Sequence, residues 1–411
     1  MISDTFCVIP WVHLAIDTKG SYRLCCNQSY LDEDLNDGGY IDHLYYSYET
    51  SVEDAWNSDE YKNIRIKMLN GERIPPCRKC YREEAMGIKS ARMVNNENYL
   101  SSLDELDPRG HCSTNKIKYV DVRLGNKCNL KCRMCSPHSS DQWISDERKT
   151  GVRHISNKVL NSLENMDWFS KDYFWDNLLS VMDNVTLLYF SGGEPALFGD
   201  EQSKLFKKCI EKGISKNIVL RYNTNLTIPL DRFFESWKEF KEVRINCSID
   251  GFDKINDYIR YPSKWKQIES TLKSIYNYSQ DPNYNISMIV MTTVQMYNIF
   301  GLIDLFEYLK QYKLFPLLNI LNQPGHYNIR VLDQDKKEVV AKMLSRWFEK
   351  NKEWLNENDK SKFYYKFLGV IGYLLNKDQS HLYETFIDEA RKLDHTRNQK
   401  IEDFVPEVIR N

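Results

Sequence analysis

From about residue 117 the chain alternates two textures. Short runs rich in β-branched and aromatic residues give way to stretches whose apolar residues recur every three to four positions. The first kind predicts strands at 118–124, 185–190, 217–222, 243–249, 286–294 and 316–321; the second predicts helices at 201–213, 264–278 and 297–312. Strands that alternate with helices in this way belong to a parallel sheet built from βα units. The first two strands are separated by about sixty residues, more than one crossover requires. That connection holds an aromatic stretch from Trp168 to Trp175, so a helical insertion is expected at about 140–183. Beyond Gly325 the chain is charged and helix-forming, with Val339, Val340, Met343, Leu344, Trp347 and Phe348 on one face, as a helical brace would be.

Residues 1–100 read differently. They hold five cysteines, turn signals at Asn36-Asp37-Gly38-Gly39 and Ile74-Pro75-Pro76, and one convincing helix at 52–69. A small metal-stapled module is expected there, followed by a linker at 101–116, a barrel at 117–325 and a helical extension at 326–411.

Composition narrows the function classes. The chain has 411 residues, 42% of them hydrophobic, which supplies a sizeable core. Lys plus Arg is 56 against 58 for Asp plus Glu, so no basic footprint for a nucleic-acid backbone is expected. No run of 18 apolar residues occurs, and the first residues carry neither a basic nor an apolar signal region; the expectation is a cytoplasmic protein with no membrane contact. Eleven cysteines in a reducing compartment point to metal ligation or catalysis rather than to disulfides.

Their spacing is the sharpest signal. Directly after the first barrel strand stands Gly125-Asn126-Lys127-Cys128-Asn129-Leu130-Lys131-Cys132-Arg133-Met134-Cys135, a C-x3-C-x2-C pattern. Three thiolates on one tight loop can hold three irons of a [4Fe–4S] cube and leave the fourth iron open to a small molecule. A zinc site of three thiolates with His138 as fourth ligand is the alternative for this loop alone. Directly after the second strand comes Ser191-Gly192-Gly193-Glu194-Pro195, where glycines permit close backbone approach and a carboxylate can take an ammonium group.

Together the two motifs resemble the radical S-adenosylmethionine (SAM) superfamily, over roughly residues 117–321. The resemblance implies a partial (β/α)6 TIM-like barrel, an α/β fold, with both motifs at the C-terminal ends of strands. It implies that Cys128, Cys132 and Cys135 ligate a [4Fe–4S] cluster and that Gly192, Gly193 and Glu194 hold the SAM amino group. The position of Met134 is often aromatic in the family, but its carbonyl can still meet the adenine. In the fourth strand Asn246, Ser248 and Asp250 alternate with Ile245, Cys247 and Ile249, and Ser248 resembles a ribose or carboxylate contact. Arg260 resembles an arginine that pairs the SAM carboxylate; a surface ion pair for Arg260 and a turn cap for Asp250 are the plainer readings. Asn223 and Asn225 are inward candidates after the third strand. The family's glycine-bearing motif on the fifth strand is missing, since Met288–Thr293 offers only apolar groups and hydroxyls. On the first strand Asp121 and Arg123 alternate with Val120, Val122 and Leu124, and either contact substrate as catalytic candidates or form an ion pair inside the barrel.

The N-terminal cysteines carry a second resemblance. Cys7, twelve residues, Gly20, four residues and Cys25, followed later by Cys77-Arg78-Lys79-Cys80, look like the auxiliary-cluster motif of SPASM and twitch domains, which usually follow the barrel. Pro10-Trp11, Trp56-Asn57-Ser58, Arg65 and Met68–Gly71 are companion features. Four cysteines suffice for one fully ligated [4Fe–4S] cluster, so twitch is the closer description; a zinc ribbon is the alternative. Cys26 can replace Cys25, Cys209 and Cys247 read as core, and Cys112 lies in the junction. What the resemblance implies is reductive cleavage of SAM to a 5′-deoxyadenosyl radical and hydrogen abstraction from a peptide or small molecule, in an oxidation or crosslinking aided by the auxiliary cluster. It also implies a small electron donor such as flavodoxin or ferredoxin. An RNA-modifying radical SAM enzyme and a non-catalytic iron–sulfur or zinc protein are the alternatives; the balanced charge counts against the first and the intact GGE against the second.

Overall fold

A computed structural model describes residues 3–28, 45–87, 89–359 and 363–410. The predicted turn at Asn36–Gly39 lies outside the described residues. The sheet has eight strands: β1 (His13–Ile16), β2 (Tyr22–Arg23), β3 (Tyr119–Arg123), β4 (Leu187–Ser191), β5 (Val219–Thr224), β6 (Glu242–Ser248), β7 (Ile286–Val294) and β8 (Leu317–Ile320). Their order is β2-β1-β3-β4-β5-β6-β7-β8. The six strands expected from the sequence are β3 to β8, and β1 and β2 extend the sheet at one edge. β1 pairs in parallel with β3, with His13 opposite Tyr119 and Ile16 opposite Val122, while β2 returns antiparallel to β1.

Contacts divide the chain into two compact units, one of Met1–Lys127, Asn165–Tyr222 and Phe233–Val243, the other of Cys128–Glu164, Asn223–Arg232 and Arg244–Asn411.

In the first unit the strand register produces two faces. Leu14, Val120, Leu188 and Leu220 form one row across β1, β3, β4 and β5, and Ile16, Val122, Phe190 and Tyr222 form the next. All eight are buried and pack under the helical layer, where Phe206 meets Phe190, and Phe233 and Trp237 meet Tyr222. Full burial of such side chains stabilises by about 1.5–3 kcal/mol each. The helix expected at 52–69 is two helices, Val52–Trp56 and Asp59–Leu69, because the Ser58 hydroxyl caps the second by accepting from the Tyr61 amide at 3.4 Å. Helices Arg78–Ala85 and Ala91–Tyr99 were not expected. Asp172–Leu179 and Gly199–Glu211 complete the longer helices of this unit.

In the second unit helices Trp265–Gln280 and Leu302–Lys310 follow the predicted positions. The C-terminal extension forms helices Gln334–Asn358, Phe363–Asn376 and Tyr383–Arg397. Val340, Leu344 and Trp347 enter its core, but Val339 is 56% exposed. One residue before Val340, it is turned about 100° around the helix, away from the buried stripe. Among the described residues no helix is long and apolar enough to cross a membrane.

Candidate functional site

In the second unit the loop of residues 128–135 is held from many sides. The Lys131 amide donates to the Tyr261 carbonyl at 2.7 Å and the Arg133 amide to the Ile259 carbonyl at 2.8 Å. The Cys128 amide donates to Asp141 Oδ1 at 3.2 Å. Trp143 Nε1 donates to the Cys132 carbonyl at 2.8 Å, and Arg153 Nε to the Cys135 carbonyl at 3.0 Å. Arg153 also reaches the Arg133 carbonyl. The loop thus has these amides and carbonyls turned into the protein, and its three thiols are half-buried.

Two of those cations are anchored by the helix Tyr383–Arg397. Arg133 is fully buried; it pairs with Asp394, donates to the Tyr258 carbonyl at 3.0 Å and lies 3.6 Å from the Tyr258 ring centroid. Tyr258 donates its hydroxyl to the same Asp394 at 3.0 Å. Arg153 pairs with Glu389, which also meets Tyr327 and, at 2.7 Å, His326 Nε2. Arg397 Nε and Lys131 Nζ share Asp146 at 2.9 and 2.6 Å. These anchors were not visible in the sequence, where the last helix read only as a brace.

Burial pushes the Cys132 thiol up to about 12, against the pull of Arg260, and burial raises Cys135 as well. Thiols that resist ionisation in isolation need a bound cation to become thiolates, and an iron cluster supplies it. Three thiols on one C-x3-C-x2-C loop are a donor set that fits a cluster. The Leu130 amide points at Cys128 Sγ at 3.4 Å and Asn225 Nδ2 lies 3.8 Å from it, so Asn225 meets the loop. Asn223 accepts from Asn246 Nδ2 at 2.7 Å. Met134 packs partly buried against the core, and His138 is exposed.

Arg260 and Asp250 form an ion pair at 2.7 Å, and both are buried, so the surface-pair reading of Arg260 does not hold. Asp250 Oδ1 accepts from the Thr293 amide at 2.7 Å, and Arg260 Nε is buried with no hydrogen-bond partner among the described residues. Ser248 is half-buried on β6, and Cys247 is buried beside it.

In the first unit the Gly192-Gly193-Glu194 turn packs onto the chain that leaves β3. Gly192 has φ +118°, and a Cβ on Gly193 would stand 2.0 Å from the Lys127 carbonyl oxygen. The Gly193 amide donates to the Gly125 carbonyl at 3.2 Å and the Glu194 amide to the Lys127 carbonyl at 2.8 Å. Both glycines are therefore demanded by backbone packing within the unit. Glu194 is 1% exposed and accepts from the Ala196 amide at 3.1 Å.

The N-terminal cysteines come from separate segments. Arg65, fully buried over the Trp56 ring, donates to the Pro10 carbonyl at 2.8 Å and the Gly110 carbonyl at 3.0 Å. Cys7 is bracketed by the helix Ala91–Tyr99: Asn96 accepts from the Val8 amide at 2.8 Å and, with Arg92, donates to the Phe6 carbonyl. Cys77 ends a 3-10 turn and Cys80 lies in the helix behind it. Burial pushes the Cys7 thiol up to about 12, with Cys80 adding to the rise; Cys25 is raised by burial with Cys26, Cys77 and Cys7 contributing. Two of these four thiols are buried and two half-buried, and four thiols are the number a fully ligated cluster takes. Among the described residues no three His, Cys, Asp or Glu side chains are drawn together around a single metal ion. Cys112 is buried against the Trp11 carbonyl at 3.6 Å, and Cys209 is fully buried.

A loop of three cysteines after one strand, a GGE turn after the next and a separate four-cysteine module define an iron–sulfur protein on a mixed α/β sheet. The radical SAM superfamily matches residues 122–306, and the SPASM iron-sulfur cluster-binding domain matches residues 7–81. Residues 122–306 are thus similar to the radical SAM superfamily and residues 7–81 to an iron–sulfur cluster-binding domain, and the mixed α/β sheet is of the partial TIM-like barrel class.

An uncharacterized protein of Methanocaldococcus jannaschii is 27% identical over 194 residues, 47% of this chain and 58% of that protein. The cysteine-type anaerobic sulfatase-maturating enzyme of Clostridium novyi is 25% identical over 236 residues, 54% of this chain and 58% of that enzyme. The chain thus spans less than two thirds of the curated relatives it matches. Among solved structures, native anSMEcpe with bound AdoMet aligns with a TM-score of 0.38 and 18% identity over 63% of this chain and 66% of that one. Streptococcus suis SuiB bound to precursor peptide SuiA aligns with a TM-score of 0.34 and 13% identity over 72% and 62%.

Proposed function

We propose that this enzyme oxidises or crosslinks a peptide by radical chemistry, with Cys128, Cys132 and Cys135 holding the catalytic cluster and Cys7, Cys25, Cys77 and Cys80 the auxiliary one. The observation that carries the reading is the pair of cysteine sets, the C-x3-C-x2-C loop and the four N-terminal cysteines, whose segment is similar to an iron–sulfur cluster-binding domain. With four protein ligands an auxiliary cluster has no open iron for substrate, so its role is to take an electron from the substrate, and that favours net oxidation over isomerisation. The similarity to a sulfatase-maturating enzyme supports a peptide as substrate. When bound, SAM at the open iron supplies a 5′-deoxyadenosyl radical for hydrogen abstraction. The protein's own part is to hold and screen: Gly192, Gly193 and Glu194 take the SAM amino group, Arg260 its carboxylate, Met134, Asn223, Ser248 and Asp250 the remaining contacts, and Asp121 and Arg123 meet the substrate. A small electron donor of the flavodoxin or ferredoxin type reduces the catalytic cluster, and the cytoplasm is the compartment that suits it.

Incubation of anaerobically purified enzyme with SAM and dithionite should yield 5′-deoxyadenosine by liquid chromatography. Its absence from a preparation with full iron content contradicts the reading.

A further inference from the structure

Opposite its apolar rows, the sheet of the first unit carries charge. The register sets Asp121, Tyr189 and Arg221 side by side on β3, β4 and β5, with Arg123 beside Ser191 at the next position on the same face. Asp121 is 2% exposed, and its Oδ1 has no hydrogen-bond partner among the described residues. Arg123, Arg23 and Arg221 all lie within electrostatic reach of it, yet burial still pushes the carboxyl up to about 6. Arg123 and Arg221 are half-buried. Among the described residues the Arg123 guanidinium makes no hydrogen bond or ion pair, and Arg221 lies over the Tyr189 ring at 5.7 Å.

Among the described residues Arg123 and Arg221 beside the one carboxylate of Asp121 leave positive charge in excess on a half-buried face, and unbalanced charge there is costly. An oxyanion brought by a ligand balances it, and the planar guanidinium fork matches a carboxylate with two parallel hydrogen bonds. The Ser191 hydroxyl lies within reach of the Asp121 carboxyl, whose Oδ1 can accept a further donor. A peptide offers both groups at once, a carboxylate and a neighbouring backbone N–H.

We propose that this face is a substrate subsite for a peptide carboxylate, taken by Arg123 and Arg221, with Asp121 accepting an adjacent peptide N–H. The proposal rests on the peptide reading above and names what in the peptide is recognised. An acidic side chain and a chain-terminal carboxylate share this chemistry.

Calorimetric titration of the anaerobic holoenzyme with three probes separates them: N-acetylglutamic acid α-amide, N-acetylalanine and the neutral N-acetylglutamine amide. We expect a carboxylate probe to bind at least ~tenfold tighter than the neutral one, the discrimination of one charge-assisted hydrogen bond. Preference for the glutamate probe assigns a side chain; preference for N-acetylalanine assigns a chain end. Arg123→Gln and Arg221→Gln should each remove ~tenfold of that affinity while iron content and circular dichroism stay unchanged. Arg123→Lys, which keeps the charge without the fork, should weaken binding less, and it decides the matter if a glutamine variant does not fold. Equal binding of all three probes, or affinity unchanged in the arginine variants, overturns the subsite. Intact carboxylate binding with no turnover of any peptide would instead leave the subsite standing and remove the peptide reading.

Discussion

The two cysteine sets are built on opposite plans. Cys128, Cys132 and Cys135 occupy one eight-residue stretch whose amides and carbonyls are already engaged by Asp141, Trp143 and Arg153. Cys7, Cys25, Cys77 and Cys80 arrive from three segments, with Cys7 steered by a helix almost ninety residues away. The first set is a preformed loop whose shape depends on charges brought from the end of the chain. On the proposed ligand assignment the second is an assembly in which the cluster would tie the segments together, so that metal binding would contribute folding free energy. On that assignment the same ligand type would serve a site that waits for its cofactor and a site that is partly made by it.

The strongest way to break this contrast is to delete each set. Changing Cys128, Cys132 and Cys135 to Ala should abolish SAM cleavage while circular dichroism and the N-terminal cluster remain. Changing Cys77 and Cys80 to Ala should remove the auxiliary cluster and lower the unfolding midpoint, because the segments lose their tie. Equal loss of stability in both variants would erase the distinction.

A smaller effect sharpens it. Asp394→Asn strips the partner from the fully buried Arg133 behind the catalytic loop and should cost about 3–5 kcal/mol. Glu84→Gln, which breaks the more exposed pair with Arg92 in the N-terminal module, should cost about 1 kcal/mol. Urea unfolding followed by tryptophan fluorescence measures both. Similar costs would show that the catalytic loop is no more dependent on remote charge than the assembled site.

What the sequence revealed follows the same division. The six strands β3 to β8 were legible because each carries its own alternation or apolar run, and the three-cysteine loop because its ligands are contiguous. The edge strands His13–Ile16 and Tyr22–Arg23 were not, since four and two residues are too few to display a period and their partner β3 lies about a hundred residues away. Helix Arg78–Ala85 was hidden by its run of charges around two cysteines. The clamp from Asp394 to Arg133 spans 261 residues, a separation at which sequence spacing carries no signal. Arg260 and Asp250 were found as residues, but their mutual burial appeared only with the fold. The charged row of Asp121, Tyr189 and Arg221 needed strand register to bring its members together.

The central claim is two clusters of different construction on one chain, and counting them tests it most directly. Iron and acid-labile sulfide per chain, with Mössbauer spectra of the reconstituted enzyme, should give about eight irons in two cubane environments, only one of which changes when SAM is added. A zinc-only protein, or about four irons in a single environment, would contradict the account.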